Sequence, residues 1–139
     1  MALKVSKADV WAATVEDRAG GTADKLEALS NAGANLEMLL ARRTDEPGKG
    51  VMFVTPLKGK ALKAAETAGL GKPQTIYSVR IEGGDKPGLG AKIARALGDA
   101  GISFRGISAV AIGRKFVSYV ALDSAEDQAK AVSTLKKLK

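Results

Sequence analysis

The largely apolar run from Val10 to Val15 (Val-Trp-Ala-Ala-Thr-Val) predicts a strand with Trp11, Ala13 and Val15 on one face. Asp17-Arg18-Ala19-Gly20-Gly21 is a turn signal. Thr22 is placed to cap a helix running to about Ala32, with Leu26 and Leu29 at i,i+3 spacing and Gly33 at its end. Asn35 to Arg43 then reads as a strand, Glu46 to Gly50 as a hairpin connection, and Val51 to Thr55 as a second strand. Leu57 to Leu70 reads as an Ala- and Lys-rich helix, broken from Gly69 to Pro73. Thr75 to Glu82 is again a strand.

The same order then repeats. Gly83 to Gly88 is a turn, and Leu89 to Ala100 a helix with Ile93, Ala96, Leu97 and Ala100 on one face. Ile102 to Ile112 and Phe116 to Leu122 are strand regions joined through Gly113-Arg114-Lys115. Asp123 or Ser124 caps a last helix to Leu138, with Ala129, Val132 and Leu135 inward. The halves superpose with an offset of 68 residues, which lays Asp17 on Asp85, Gly20 on Gly88, Ala28 on Ala96, Leu29 on Leu97 and Gly33 on Gly101. These are the positions that geometry restricts most: the glycines open and close the helix, and the Ala and Leu line its buried face. A repeat this long marks a duplicated module rather than a solenoid.

Each module reads as a ferredoxin-like βαββαβ unit, so the fold class is α+β: two antiparallel sheets, each with its helices on one face. The expected domains are 8–76 and 77–139. No sequence remains after Lys139 for the second module's closing strand. The alternating segment Ala2 to Lys7 is unassigned, and residues 1–7 are predicted to supply that strand.

Composition narrows the chemistry. There is no Cys and no His, which removes disulfides, thiolate nucleophiles, Cys/His zinc sites and a histidine base. The acidic residues are scattered and no loop gathers them for a metal, so neither metal nor cofactor is expected. No spacing suggests an alternative catalytic constellation, and the chain reads as non-enzymatic. Six aromatic residues leave the core to aliphatic side chains. A net charge of +7 raises the question of an anionic ligand or nucleic acid, although Lys on solvated faces is the favoured account of it. Lys136-Lys137-Leu138-Lys139 suits a helix end. No signal peptide and no stretch of about 18 apolar residues is present. The expectation is therefore a cytoplasmic protein without a membrane partner.

Asp85-Lys86-Pro87-Gly88-Leu89-Gly90, followed by Ile93, Leu97 and Ala100-Gly101-Ile102-Ser103-Phe104, resembles the signature of ACT domains, Asp-x-Pro-Gly-x-Leu, a helix, then Gly-Ile-Asn-Ile. Asp17-Arg18-Ala19-Gly20-Gly21 with Ala32-Gly33-Ala34-Asn35-Leu36 resembles it more weakly. The signature's Leu is Gly90 in the second copy and Thr22 in the first, its Asn is Ser103 in the second, and its Pro is Ala19 in the first. Together the copies resemble a stand-alone tandem ACT protein with no enzyme attached.

The resemblance implies an amino acid or related ligand at the loop between first strand and first helix, near a module interface. The implied contacts are Asp85, Lys86, Pro87, Gly88, Leu89, Gly90 and Ser103, and in the first copy Arg18, Gly20, Gly21 and Asn35. The chemistry agrees. Glycines at the start of a helix leave N–H groups uncovered where the dipole is positive, which suits a carboxylate. Asp85 is placed to accept from an α-amino group, Lys86 and Arg18 add positive field, and Asn35 and Ser103 offer neutral donors at the start of each second strand. Each residue has a structural role as well: the glycines serve turn geometry, Asp85 caps the turn, Asn35 and Ser103 satisfy backbone, and Lys86 and Arg18 are solvated charges.

The function so implied is a small-ligand-sensing regulatory protein, a homodimer acting on a partner enzyme or regulator. Two alternatives stand beside it. One is a structural or subunit-interaction protein that binds no ligand. The other is an RNA-binding module, disfavoured because Trp11, Phe53, Tyr77, Phe104, Phe116 and Tyr119 form no stacking platform.

Overall fold

A computed structural model describes residues 3–138. In chain order the elements are β1 (Lys4–Ala8), β2 (Trp11–Glu16), α1 (Gly21–Asn31), β3 (Met38–Arg43), β4 (Lys49–Thr55), α2 (Lys60–Thr67), β5 (Tyr77–Gly84), α3 (Leu89–Asp99), β6 (Gly106–Ile112), β7 (Lys115–Leu122) and α4 (Ala125–Lys136). The chain divides into two compact units, residues 9–73 and residues 1–8 with 74–139. Both are ferredoxin-like: an antiparallel sheet with two helices on one face.

In the first module the sheet order is β2-β4-β3. Ala13, Val15, Met52 and Val54 point inward and meet Leu29 of α1 and Ala61 and Ala65 of α2. The place beside β2 is held by one bridge, in which Ala12 and Gly71 exchange both backbone hydrogen bonds at 2.8 and 3.0 Å. Pro73 has no N–H to extend that ladder. The first module's closing strand is thus reduced to Gly71, while the strand expected at Thr75 to Glu82 forms as Tyr77–Gly84 and serves the second sheet.

In the second module the order is β1-β5-β7-β6. Here β1 occupies the closing position, antiparallel to β5, with Lys4 opposite Glu82 and Ala8 opposite Ser78. Val5 is buried in the core with Val79, Ile81, Ile93, Leu97, Phe116, Val120, Leu122, Ala131 and Leu135. Of the N-terminal segment read as this strand, Ala2 lies outside the described residues, as do Met1 and the terminal Lys139.

Several local expectations shift. α1 is not capped by Thr22: its N-cap is Gly20, left-handed at φ 84°, with no side-chain bond. Gly88 does the same for α3 at φ 83°. α2 is shorter than Leu57 to Leu70, because Gly59 precedes its first residue and Gly69 follows its end at φ 88°. Leu57 and Leu70 still reach the core, from the connections. β3 and β6 begin at Met38 and Gly106, so Asn35 and Ser103 lie before the strands and not at their starts. Ser124 caps α4, its Oγ accepting from the Asp127 N–H at 3.0 Å. The inward face of α4 is Gln128, Ala131 and Leu135, with Val132 beside them; Ala129 is exposed. Gln128 donates to the Ser78 carbonyl at 2.8 Å, so a polar residue holds the inward place expected of Ala129.

Candidate functional site

The loop between β5 and α3 carries the candidate site. The Asp85 N–H donates to the Arg114 carbonyl at 2.8 Å, tying the loop to the β6–β7 hairpin. Pro87 precedes the left-handed Gly88, and α3 begins at Leu89. No acidic residue stands in the first turn of α3. A Cβ built on Gly88 or Gly90 would meet no atom within 4 Å, so their backbone faces open space.

A shallow cavity of about 70 Å³ lies against this loop. Lys86, Pro87, Gly88 and Leu89 form one wall. The others are Leu3, preceding β1, Gly84 at the end of β5, Lys92 on α3 and Leu138 after α4. This is room for several waters or the charged head of a small ligand, well short of the ~300 Å³ of a typical drug-sized pocket. The walls combine two ammonium groups with the apolar Leu3, Pro87, Leu89 and Leu138, a mixture suited to a small amphipathic anion.

The structure thus brings together four of the residues singled out in the sequence: Lys86, Pro87, Gly88 and Leu89. Asp85 and Gly90 flank them without lining the cavity, and Asp85 is exposed. Ser103 is exposed and lies outside it. Sequence reasoning missed Leu3, Gly84, Lys92 and Leu138. Lys92 was within reach, since the offset that pairs Gly20 with Gly88 pairs Asp24 with Lys92. The other three come from chain ends and a strand terminus that only the fold assembles.

The equivalent loop of the first module is built differently. Arg18 donates from Nε to Glu16 at 3.0 Å, from an Nη to Asp24 at 2.9 Å, and from its other Nη to the Ala19 carbonyl at 3.2 Å. The hydrogen bonds to Asp24 and then Glu16 hold the Arg18 guanidinium above its ordinary pKa. Arg43 donates to Asp17 at 2.8 Å. Gly21 is buried, and a Cβ there would lie 2.4 Å from the Glu16 carbonyl oxygen. Asn35 is exposed.

Among the described residues no group of His, Cys, Asp and Glu could hold a metal ion, and no helix is long and apolar enough to cross a membrane.

The fold and this loop define a protein of two ferredoxin-like modules, with a small cationic cavity at the strand-to-helix loop of the second. Residues 77–139 match the family model of the ACT domain, and the first half repeats its topology. The second module is thus similar to the ACT domain. Among solved structures the chain is similar to the protein BT0572 from Bacteroides thetaiotaomicron, at 17% identity and TM-score 0.75, over 93% of this chain and 88% of that one. It is similar to the regulatory subunit of aspartate kinase from Thermus thermophilus in its ligand-free form, at 20% identity and TM-score 0.67, over 99% and 97%. The regulatory subunit of aspartate kinase from Thermus flavus matches at 22% identity and TM-score 0.61, over 97% of each chain. No curated protein matches the chain in sequence. These likenesses establish the fold.

Proposed function

We propose that this chain is a non-catalytic, cytoplasmic regulatory protein that binds an amino acid or similar carboxylate at the loop Asp85–Gly90. The observation that carries this reading is the cavity at that loop, where Lys86 and Lys92 stand beside the uncovered backbone at the start of α3. A carboxylate placed there meets two cations and the positive end of a helix. The kinship of fold with aspartate kinase regulatory subunits supports a partner enzyme or regulator as the recipient of the signal. Binding that favours one arrangement of the protein over another would change its contacts with that partner.

A homodimer belongs to the same reading. β6 is an edge strand with no charged residue, and Ile107, Val110 and Ile112 are 40%, 54% and 75% exposed. An open apolar edge of this kind pairs readily with a second copy.

The test is a thermal-shift screen against the twenty amino acids. A ligand at 100 times its Kd stabilises the fold by about 2.7 kcal/mol. A selective shift, abolished by Lys86→Glu, is the expected result. Lys86 is exposed, so the variant alters charge without disturbing the core. Gly88→Val is a poorer probe, because φ 83° strains any side chain there. A flat response across the panel sinks the sensor reading in favour of an interaction protein.

A further inference from the structure

Charge is divided unequally between the two units. Residues 9–73 hold nine Lys and Arg against nine Asp and Glu, whereas the rest of the chain holds thirteen against six, so the whole net charge of +7 belongs to the second module. Within that module it gathers toward one end. Leu3, Gly84, Lys86, Leu89 and Leu138 line one cavity, which sets the start of β1, the end of β5, the start of α3 and the end of α4 side by side. The β6–β7 hairpin joins them through the Arg114 carbonyl, which accepts from the Asp85 N–H. These segments carry Lys4, Lys86, Arg114, Lys115, Lys136 and Lys137, all exposed. The acids there are Asp85 and Glu82, and Glu82 already accepts from Arg80 and lies 3.4 Å from Lys115. Asp99, Asp123, Glu126 and Asp127 stand at the opposite ends of α3, β7 and α4, the first two paired with Arg95 and Arg105.

Helix stability does not call for this arrangement. α4 follows the dipole, with acids in its first turn and Lys136 in its last. α3 begins at the cationic end without an acid in its first turn, although α1, in the corresponding place, has Asp24. Among the described residues no acid pairs with Lys4, Lys86, Arg114, Lys136 or Lys137. Like charges gathered without counter-charges repel one another, and an anionic partner relieves that repulsion.

We propose that this end of the second module is a docking surface for an acidic segment of a partner protein. A nucleic acid, the other common polyanion, calls for aromatic platforms on which its bases stack. Tyr77 and Phe104 belong to the opposite end, Tyr119 lies mid-strand in β7, and Phe116 is buried. Between the cations stand the exposed Pro87 and the half-buried Leu3, Leu89 and Leu138. Aliphatic surface among ammonium groups suits a peptide that mixes carboxylates with apolar side chains. The surface gives a chemistry to the partner that the regulatory reading requires. It is tested with no amino acid present, so the two fail separately.

The test is fluorescence anisotropy of the full chain with a labelled peptide of Glu-Glu-Leu repeats, beside a uridine oligonucleotide of equal charge. The peptide is expected to bind more tightly than the oligonucleotide, and less tightly as salt rises. Arg114→Glu with Lys137→Glu should weaken it about tenfold, the scale of turning two exposed attractions into repulsions. Lys58→Glu with Lys60→Glu makes the same change of net charge in the first module and should leave the affinity within about twofold. All four residues are exposed, and neither Arg114 nor Lys137 lines the cavity. No binding of the peptide at low salt, equal weakening by both double variants, or tighter binding of the oligonucleotide each overturns the proposal.

Discussion

Met52 and Ser118 hold the same inward position on the corresponding strands β4 and β7 of the two sheets, and both are fully buried. Their neighbours compensate for the difference in size. Met52 faces Ala13 and Ala41 across the ladders, whereas Ser118 faces Ile81 and Ala109. A large residue moves from one strand to the next, which keeps the interior filled. The hydroxyl is the cost: Ser118 Oγ is buried without a hydrogen-bond partner. Ser118→Ala removes an unsatisfied polar atom at almost constant volume. It is expected to raise stability by about 1 kcal/mol, read as a higher urea midpoint at unchanged slope.

Gly21 and Gly90, in the first turns of α1 and α3, answer oppositely to an added methyl. At Gly21 a Cβ collides with the Glu16 carbonyl oxygen of the backbone. Gly21→Ala should destabilise by about 1–3 kcal/mol, the range for forced overpacking. Gly90 sits in α3 with free space around it and no positive φ. Gly90→Ala should be neutral or stabilise by up to about 1 kcal/mol. Thermal melts of the two variants check the pair.

Glu82 makes acid stability depend on the second sheet. Its carboxylate accepts from Arg80 at 2.7 Å and stands 3.4 Å from the Lys115 ammonium. The hydrogen bond from Arg80, then the contact with Lys115, hold its pKa below the ordinary value of 4.5, against the opposing effect of burial. A depressed folded pKa means a contribution that is present above the unfolded value and lost as pH falls through the folded one. Urea midpoints measured from pH 7 down to pH 3 should fall less steeply below pH 4.5 in Glu82→Gln than in the parent.

Val5 is the one buried side chain that β1 gives to the second core. Val5→Ala should cost about 2 kcal/mol and speed amide exchange along β5, whose edge β1 covers. Unchanged exchange in β5 would mean that β1 contributes little to holding that sheet.

If β6 pairs with a second copy, charge on its exposed positions should prevent it. Val110→Lys with Ile112→Lys is expected to give a monomer in sedimentation at micromolar concentration, where the parent sediments as a dimer. A monomeric parent rules the dimer out.

The repeat, the class of every module element and the loop at Gly88 were legible in the sequence because they rest on local rules. A left-handed glycine must open each helix, a glycine must end it, and the apolar faces follow periods of two and near four. Gly33 and Gly101 satisfy this alike, at φ 86° and 75°, each followed by a backbone bond from the next residue to Leu29 or Leu97. Strand and helix ends were less legible. Asn35 and Ser103 lie ahead of their strands because pairing with β4 and β7, which no local pattern encodes, decides where a ladder starts.

Tertiary structure alone decided the rest. The cavity needs Leu3 and Leu138, from opposite ends of the chain, to meet the loop at Lys86. The ion pairs of the first module's loop need Arg18 to reach two acids on different elements. Sequence fixes what lies near along the chain; a wall built from residues distant in sequence exists only once burial of the core has paid the entropy of bringing them together.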